Sequence, residues 1–449
     1  MSQPSYKEFI YYQTQNKHEE QKELSRDILN KLLHTLGRES IREKTPSMQE
    51  LEQTLQQVFT NEGIDINKLS EKATTGKEDG IRGEGMTVVK YLIQKGYLKE
   101  EKKWLSKQGF TSIGSRILTD VMRTLKSGDL GLHETVKLGS GTTVLDTSKK
   151  YELGDDIRLL DVPKSLLNTV KRIMKCSNEI KFPLEINIDD FEEYETRQEI
   201  RVAIVYCIDL SSTMRYSSAV GDISRIEAAK RALWSLYVLN SKFFPTDTIY
   251  IVGFGALASK VLPQDIPYLK TFEPGYDLLH YTNYQSAFRL ANKILQRDSA
   301  LNKRIVLITD GHPSACFIDN EHEKEEILSA RPHSQFYKPN GDILNTVKKQ
   351  QDMNLDMSGG EQVYLCYSYK QVDPYIRMKT ISEAKKCRNT GIEIDTLMVS
   401  EEEALLSYVN DMEKCVKGRS YYINPANIDK LLITDYLLNK RRTLNTRSF

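Results

Sequence analysis

VAIVYCIDLSST, residues 202–213, is the stretch whose reading decides the fold. From Val202 to Ile208 the residues are continuously apolar, without the alternation of a strand that has one wet face. Such a run predicts a strand buried on both faces, as in a parallel sheet covered by helices. The run ends on Asp209, and Asp209-Leu210-Ser211-Ser212-Thr213 then places a carboxylate and two hydroxyls at alternate positions. Ligands of open parallel sheets bind beyond the carboxyl ends of the strands, so the residues that follow each strand carry the chemistry.

Outward from this stretch, strand and helix patterns alternate. A helix is expected over about 224–240, then a strand at 248–254, a helix at 284–295 and a strand at 304–309. A helix near 380–389, a strand at 392–399, a helix at 401–416, a short strand at 420–423 and a closing helix from about 427 follow. This order predicts an α/β, Rossmann-like, doubly wound and mainly parallel sheet. The polar stretch from Ala315 to Pro374 breaks the rhythm and is too long for a compact loop, so it reads as an insertion over the functional edge of the sheet.

Asp310 and Gly311 follow the strand at 304–309, and Thr282 precedes the helix at 284. With Asp209, Ser211 and Thr213 they form a set of hard oxygen donors, the kind that Mg²⁺ takes in near-octahedral geometry. Two carboxylates are too little charge for a closed site, so at least one coordination position is expected to stay open. At this point the chain resembles the von Willebrand factor A (VWA) domain, whose metal-ion-dependent adhesion site (MIDAS) is matched by Asp209, Ser211, Thr213, Thr282 and Asp310.

Further segments narrow the resemblance. VGFGALASKVLPQDIPYL, YTNYQSAFRLANKIL and RIVLITDGHPSA are similar to a prokaryotic intracellular group of A-domain proteins related to the magnesium-chelatase D subunit. So are SIGSRILTDVMRTLKSGDLGLHET and ELGDDIRLLDVPKSLLNTVKR, in the region preceding the domain. Mg²⁺ is the expected ion, with Mn²⁺ or Ca²⁺ as substitutes, and membership of the group implies a MoxR-type AAA+ ATPase as partner. Three positions depart from the usual pattern: Tyr281 stands where Gly is common, Thr213 replaces Ser, and His312-Pro313 replaces Glu-Pro.

The first half reads as helices, with domain divisions at 1–71, 86–178 and 179–449. Leu24 to Leu36 and Met48 to Phe59 repeat at helical spacing, and Ser47 with Glu50 writes a capping box. KATTGKEDGIRGEG, 72–85, reads as a linker. Helices at 86–95 and 111–126 flank GYLKEEKKWLSKQGF, a candidate hairpin, and together they suggest a winged helix. Lys99, Lys102, Lys103, Trp104 and Lys107 then raise the question of DNA. The segment 127–161 reads as loop, including Gly139-Ser-Gly141-Thr-Thr143, which lacks the Lys of a phosphate-binding loop. Pro163 opens an amphipathic helix expected to bury Leu166, Leu167, Val170, Ile173 and Met174, and Ile180 to Ile188 alternate as an edge strand.

Composition sets the class. Of the 449 residues, 39% are hydrophobic and 28% charged, and Lys+Arg 63 against Asp+Glu 62 leaves a net charge of +1, so the whole chain is no polyanion binder. The cysteines 176, 207, 316, 366, 387 and 415 are scattered without a C-x-x-C pair, which favours reduced thiols. His312, Cys316, His322 and Cys366 fit no paired zinc-ligand spacing. No apolar stretch approaches a membrane span, and cytoplasmic is the expected location. The reading is a non-catalytic, metal-dependent protein-binding module whose ion accepts an Asp or Glu carboxylate from a partner. The alternatives are a Mg²⁺-dependent hydrolase and a DNA-linked regulator acting through the N-terminal half.

Overall fold

The computed structural model describes residues 26–61, 87–124, 138–151, 160–177, 183–197, 201–217, 223–275, 277–357, 362–366, 372–399, 408, 420–422 and 428–445. The linker at 72–85 and nearly all of the helix expected at 401–416 lie outside them.

The decisive run forms β3 (Val202–Asp209), and every one of its residues is buried. Its side chains part between two cores: Val202, Ile204, Tyr206 and Ile208 face one, Ala203, Val205 and Cys207 the other. That is why the run shows no period of two. β4 (Thr248–Phe254) and β6 (Asn302–Thr309) flank β3 in parallel. With β5 (Ala258–Val261), β9 (Leu355–Asp356), β11 (Ile392–Met398) and β12 (Ser420–Tyr422), the described residues give a seven-stranded sheet of order β12-β11-β6-β3-β4-β5-β9. β5 pairs antiparallel with both β4 and β9, and the other neighbouring strands pair parallel. The chain leaves β3 for β4 on one side and returns to β6 on the other, so the switch point of the winding lies beside β3.

α6 (Arg225–Phe243) covers one face, and its start is written locally: Ser224 accepts from the Glu227 N–H while the Glu227 carboxylate takes the Ser224 N–H. α7 (Tyr284–Gln296), capped by Asn283, and α10 (Pro374–Asn389), capped by Asp373, cover the other. α11 (Ile428–Asn445) packs on α6, where Tyr436 accepts from Asn240 and donates to Asp247, whose other oxygen takes the Val202 N–H.

The N-terminal helices α1 (Arg26–Ile41), α2 (Met48–Asn61), α3 (Val88–Gln94) and α4 (Lys107–Thr124) share one continuous apolar core with α6 and the sheet. The capping box of α2 forms as read, Ser47 N–H to Glu50 at 2.7 Å and Glu50 N–H to Ser47 at 3.3 Å. Phe110 stacks on Trp234, whose indole N–H donates to the Phe110 carbonyl at 3.0 Å. Gly114 makes that approach possible, because a Cβ there would stand 2.6 Å from Trp234 Nε1.

Several expectations need correcting. The hairpin of the winged-helix reading is reduced to one bridge, Leu98 to Leu105; Lys102 and Lys107 stay exposed while Lys103 is largely covered. Trp104 is buried, Lys103 pairs with Asp265 and Asp352, and Lys102 donates to the Gln350 carbonyl. The segment read as loop at 127–161 contains β1 (Leu138–Lys150), which takes in Gly139 to Thr143 and pairs antiparallel with β2 (Glu192–Arg197). A Gly, Ser and Thr strand has no hydrophobic period to announce it; pairing alone makes it. Of the edge strand expected at 180–188, the described part, from Pro183, is irregular, with Ile186 and Ile188 exposed; residues 180–182 lie outside the described residues. α5 (Val162–Ser177) buries Ser165 against β2 and Thr169 against Asp190 just before it; of the residues expected inward, Leu166, Leu167 and Met174 are exposed and Val170 and Ile173 half-buried, so a polar stripe turns inward instead. Because β2 belongs with β1 and α5, the division expected at 179 falls inside this unit.

The stretch from Ala315 to Pro374 is built rather than loose. β7 (Ala315–Ile318), β10 (Gln362–Leu365) and β8 (Gln335–Tyr337) make a three-stranded antiparallel sheet, joined by α8 (Glu321–Ala330) and α9 (Gly341–Gln351). β9 of the same stretch extends the main sheet at its edge.

Candidate metal centre

Because β3 and β6 are adjacent and parallel, with Ile208 opposite Ile308, the residues that follow them meet at one edge. Asp209, the last residue of β3, is fully buried. One of its oxygens takes the Ser211 N–H at 2.8 Å and the other takes the Thr309 hydroxyl at 2.6 Å. Asp310, also buried, accepts from the Thr213 hydroxyl at 2.8 Å on one oxygen and from the Arg225 guanidinium at 2.6 Å on the other. With its proton engaged by Asp310, the Thr213 oxygen accepts from Ser211, 3.1 Å away. Asp209, Ser211, Thr213 and Asp310 are therefore linked across the gap between two strand ends.

Thr282 comes to the same edge through its backbone. Its N–H donates to the Ser314 hydroxyl at 3.0 Å, and its carbonyl accepts from the N–H groups of Ser314 and Ala315. The next N–H, of Asn283, donates to the Gly255 carbonyl at the end of β4. Gly255 has to be glycine, since a Cβ would lie 2.2 Å from the Leu279 carbonyl oxygen. Tyr281, the departure from the usual Gly, does not take the left-handed backbone that a glycine would permit. Leu278 does instead, at φ 50°.

Burial raises the pKa of Asp209 above the ordinary carboxylate range, and the neighbouring Asp310 adds to it. Burial raises Asp310 as well, with Arg225 and Thr213 acting against it. Two carboxylates out of water, bonded to a single cation, leave negative charge uncompensated. Both are hard oxygen donors, and the hydroxyls beside them add more. This donor set fits a divalent cation of the Mg²⁺ type. Among the described residues no three His, Cys, Asp or Glu side chains gather, so the hydroxyls are needed to complete a ligand set here.

Three residues of the centre escaped the sequence reading. Thr309 ends an apolar run, and a hydroxyl there was the available signal. Arg225 opens a helix whose N-terminal dipole disfavours a cation, which was a second signal. Ser314 carried none. Cys316 lies in the core of the three-stranded sheet, and burial raises its thiol pKa.

Residues 202–349 match the family of the vWA domain of Rv0959-like proteins, and residues 143–196 match the third domain of the same proteins. Uncharacterized protein Rv0959 of Mycobacterium tuberculosis is 23% identical over 356 residues, covering 78% of this chain and 44% of that protein. The chain thus spans less than half the length of the curated relatives it matches. Among solved structures, a mutant of the PilB minor pilin from Streptococcus sanguinis is 16% identical with a TM-score of 0.41, over 60% of this chain and 68% of that one. The vWF domain of the type V pili tip protein Mfa5 from Porphyromonas gingivalis is 16% identical with a TM-score of 0.36, over 55% and 95%. The chain contains a von Willebrand factor A-type domain.

Proposed function

We propose that this von Willebrand factor A-type chain is a metal-dependent protein-binding module, not an enzyme. The observation that carries the reading is the junction of β3 and β6, where two buried carboxylates and two hydroxyls meet at the switch point of the sheet. Asp209, Ser211, Thr213, Thr282 and Asp310 would hold Mg²⁺, or Mn²⁺ or Ca²⁺ in its place. The ion supplies an electrophilic coordination position that a carboxylate oxygen of a partner protein completes. Ser211 and Thr213 orient oxygen lone pairs, Thr309 fixes Asp209, and the Ser314 clasp fixes the Thr282 backbone.

The partner proposed is a protein with an exposed Asp or Glu. Similarity to the magnesium-chelatase-related group makes a MoxR-type AAA+ ATPase the first to test, and a cytoplasmic location follows from the same reading. No helix among the described residues is long and apolar enough to cross a membrane. Affinity purification of the full chain with and without EDTA tests the proposal, with Asp209→Ala as control. The expected result is a partner that is lost both with the chelator and in the variant. If Asp209→Ala leaves Mg²⁺ binding and partner capture unchanged, the proposal fails. A screen of phosphate esters and nucleotides tests the hydrolase alternative, and no turnover is expected.

A further inference from the structure

Arg225 stands where helix physics disfavours it. It is the first residue of α6, at the positive end of the helix dipole, and its side chain is 23% exposed. What holds it is Asp310, whose second oxygen accepts from the guanidinium at 2.6 Å. The backbone adds to the hold: the Arg225 N–H donates to the Tyr216 carbonyl at 3.2 Å, tying the start of α6 to the end of the Asp209 loop. A fixed cation is thus built against one of the two carboxylates proposed to hold the ion.

Charge counting gives the consequence. Asp209 and Asp310 with Arg225 carry −1, where the two carboxylates alone would carry −2. A divalent ion brings the set to +1 with the arginine, and to zero without it. One incoming carboxylate then neutralises the first and leaves the second negative. We infer that Arg225 is a specificity-determining residue: it holds down affinity for the ion alone and makes an anionic partner group the completing element, so that ion and acidic partner bind cooperatively. The coupling is reciprocal, since whatever the partner adds to ion affinity the ion adds to partner affinity. This rests on the metal-binding reading above and adds to it the residue that sets the charge of the loaded face.

The test is a Mn²⁺ titration of the full chain followed by electron paramagnetic resonance, with Mn²⁺ alone as the probe. R225Q and R225S each remove the charge, R225K keeps it, and D209A removes the site. Loss of a unit charge this close to the ion is expected to tighten Mn²⁺ binding about tenfold or more in R225Q and R225S. R225K is expected to stay near the wild type. Unchanged or weaker Mn²⁺ binding in R225Q and R225S overturns the inference while leaving the ion site standing, provided D209A loses the ion. If wild type and D209A bind Mn²⁺ equally, the ion site itself is absent and both readings fall.

Discussion

Gly255 shows how much of the centre is decided by single residues that are not ligands. Its carbonyl receives the Asn283 N–H and so positions Thr282, and no side chain fits where it meets Leu279 and Phe272. Gly255→Ala is expected to destabilise the fold by about 2 to 3 kcal/mol through overpacking, and to weaken Mg²⁺ binding by shifting the Thr282 loop. Urea unfolding checks the first part, and a midpoint equal to the wild type would contradict it. The two strand-end carboxylates were legible, because an apolar strand running straight into Asp209 has few other readings. Thr309 and Ser314 were not, because their roles come from partners 100 and 32 residues away.

At the scale of elements, the described side chains of the small unit of β1, β2 and α5 form a polar network around Glu192. Lys164, Asn168 and Ser148 all bond the Glu192 carboxylate, and they lower its pKa from the ordinary value to about 2. A carboxylate depressed on folding contributes stability above its unfolded pKa and loses it as pH falls through the folded one. The unit is therefore expected to lose stability between about pH 4.5 and pH 2, with Glu192→Gln flattening that limb. Circular dichroism across an acid series checks this, and parallel wild-type and variant curves would refute it. The strand and the helix face were misread here because their pattern is polar. Ser165 and Thr169 point inward by hydrogen bonding, which a hydrophobic period does not reveal.

Across the whole molecule, the N-terminal helices and the sheet share one core instead of forming a string of modules. Trp234 in α6 joins them to Phe110, and Lys103 joins them to Asp265 and Asp352. Calorimetry is expected to show these parts unfolding in one transition; a separate early transition, lost on removing the N-terminal helices, would argue against it. A double-mutant cycle of Lys103→Ala with Asp265→Ala is expected to give a coupling of about 0.5 to 1 kcal/mol, modest because both side chains keep some exposure. The same contacts bury Trp104 and tie Lys103 to the protein, while Lys102 donates to the Gln350 carbonyl from an exposed position.

By itself the sequence determined the parallel core, its helices and the acidic strand ends, since continuous apolar runs, helical periods and caps are local and repeat along the chain. The insertion was visible only as a break in that rhythm. Tertiary structure alone decided that β3 lies beside β6, that Arg225 reaches Asp310, that Ser314 clasps Thr282 and that α5 faces its polar side inward. Each of these joins residues far apart in the chain, and each is fixed by hydrogen bonding or charge, which leaves no period for a sequence to show.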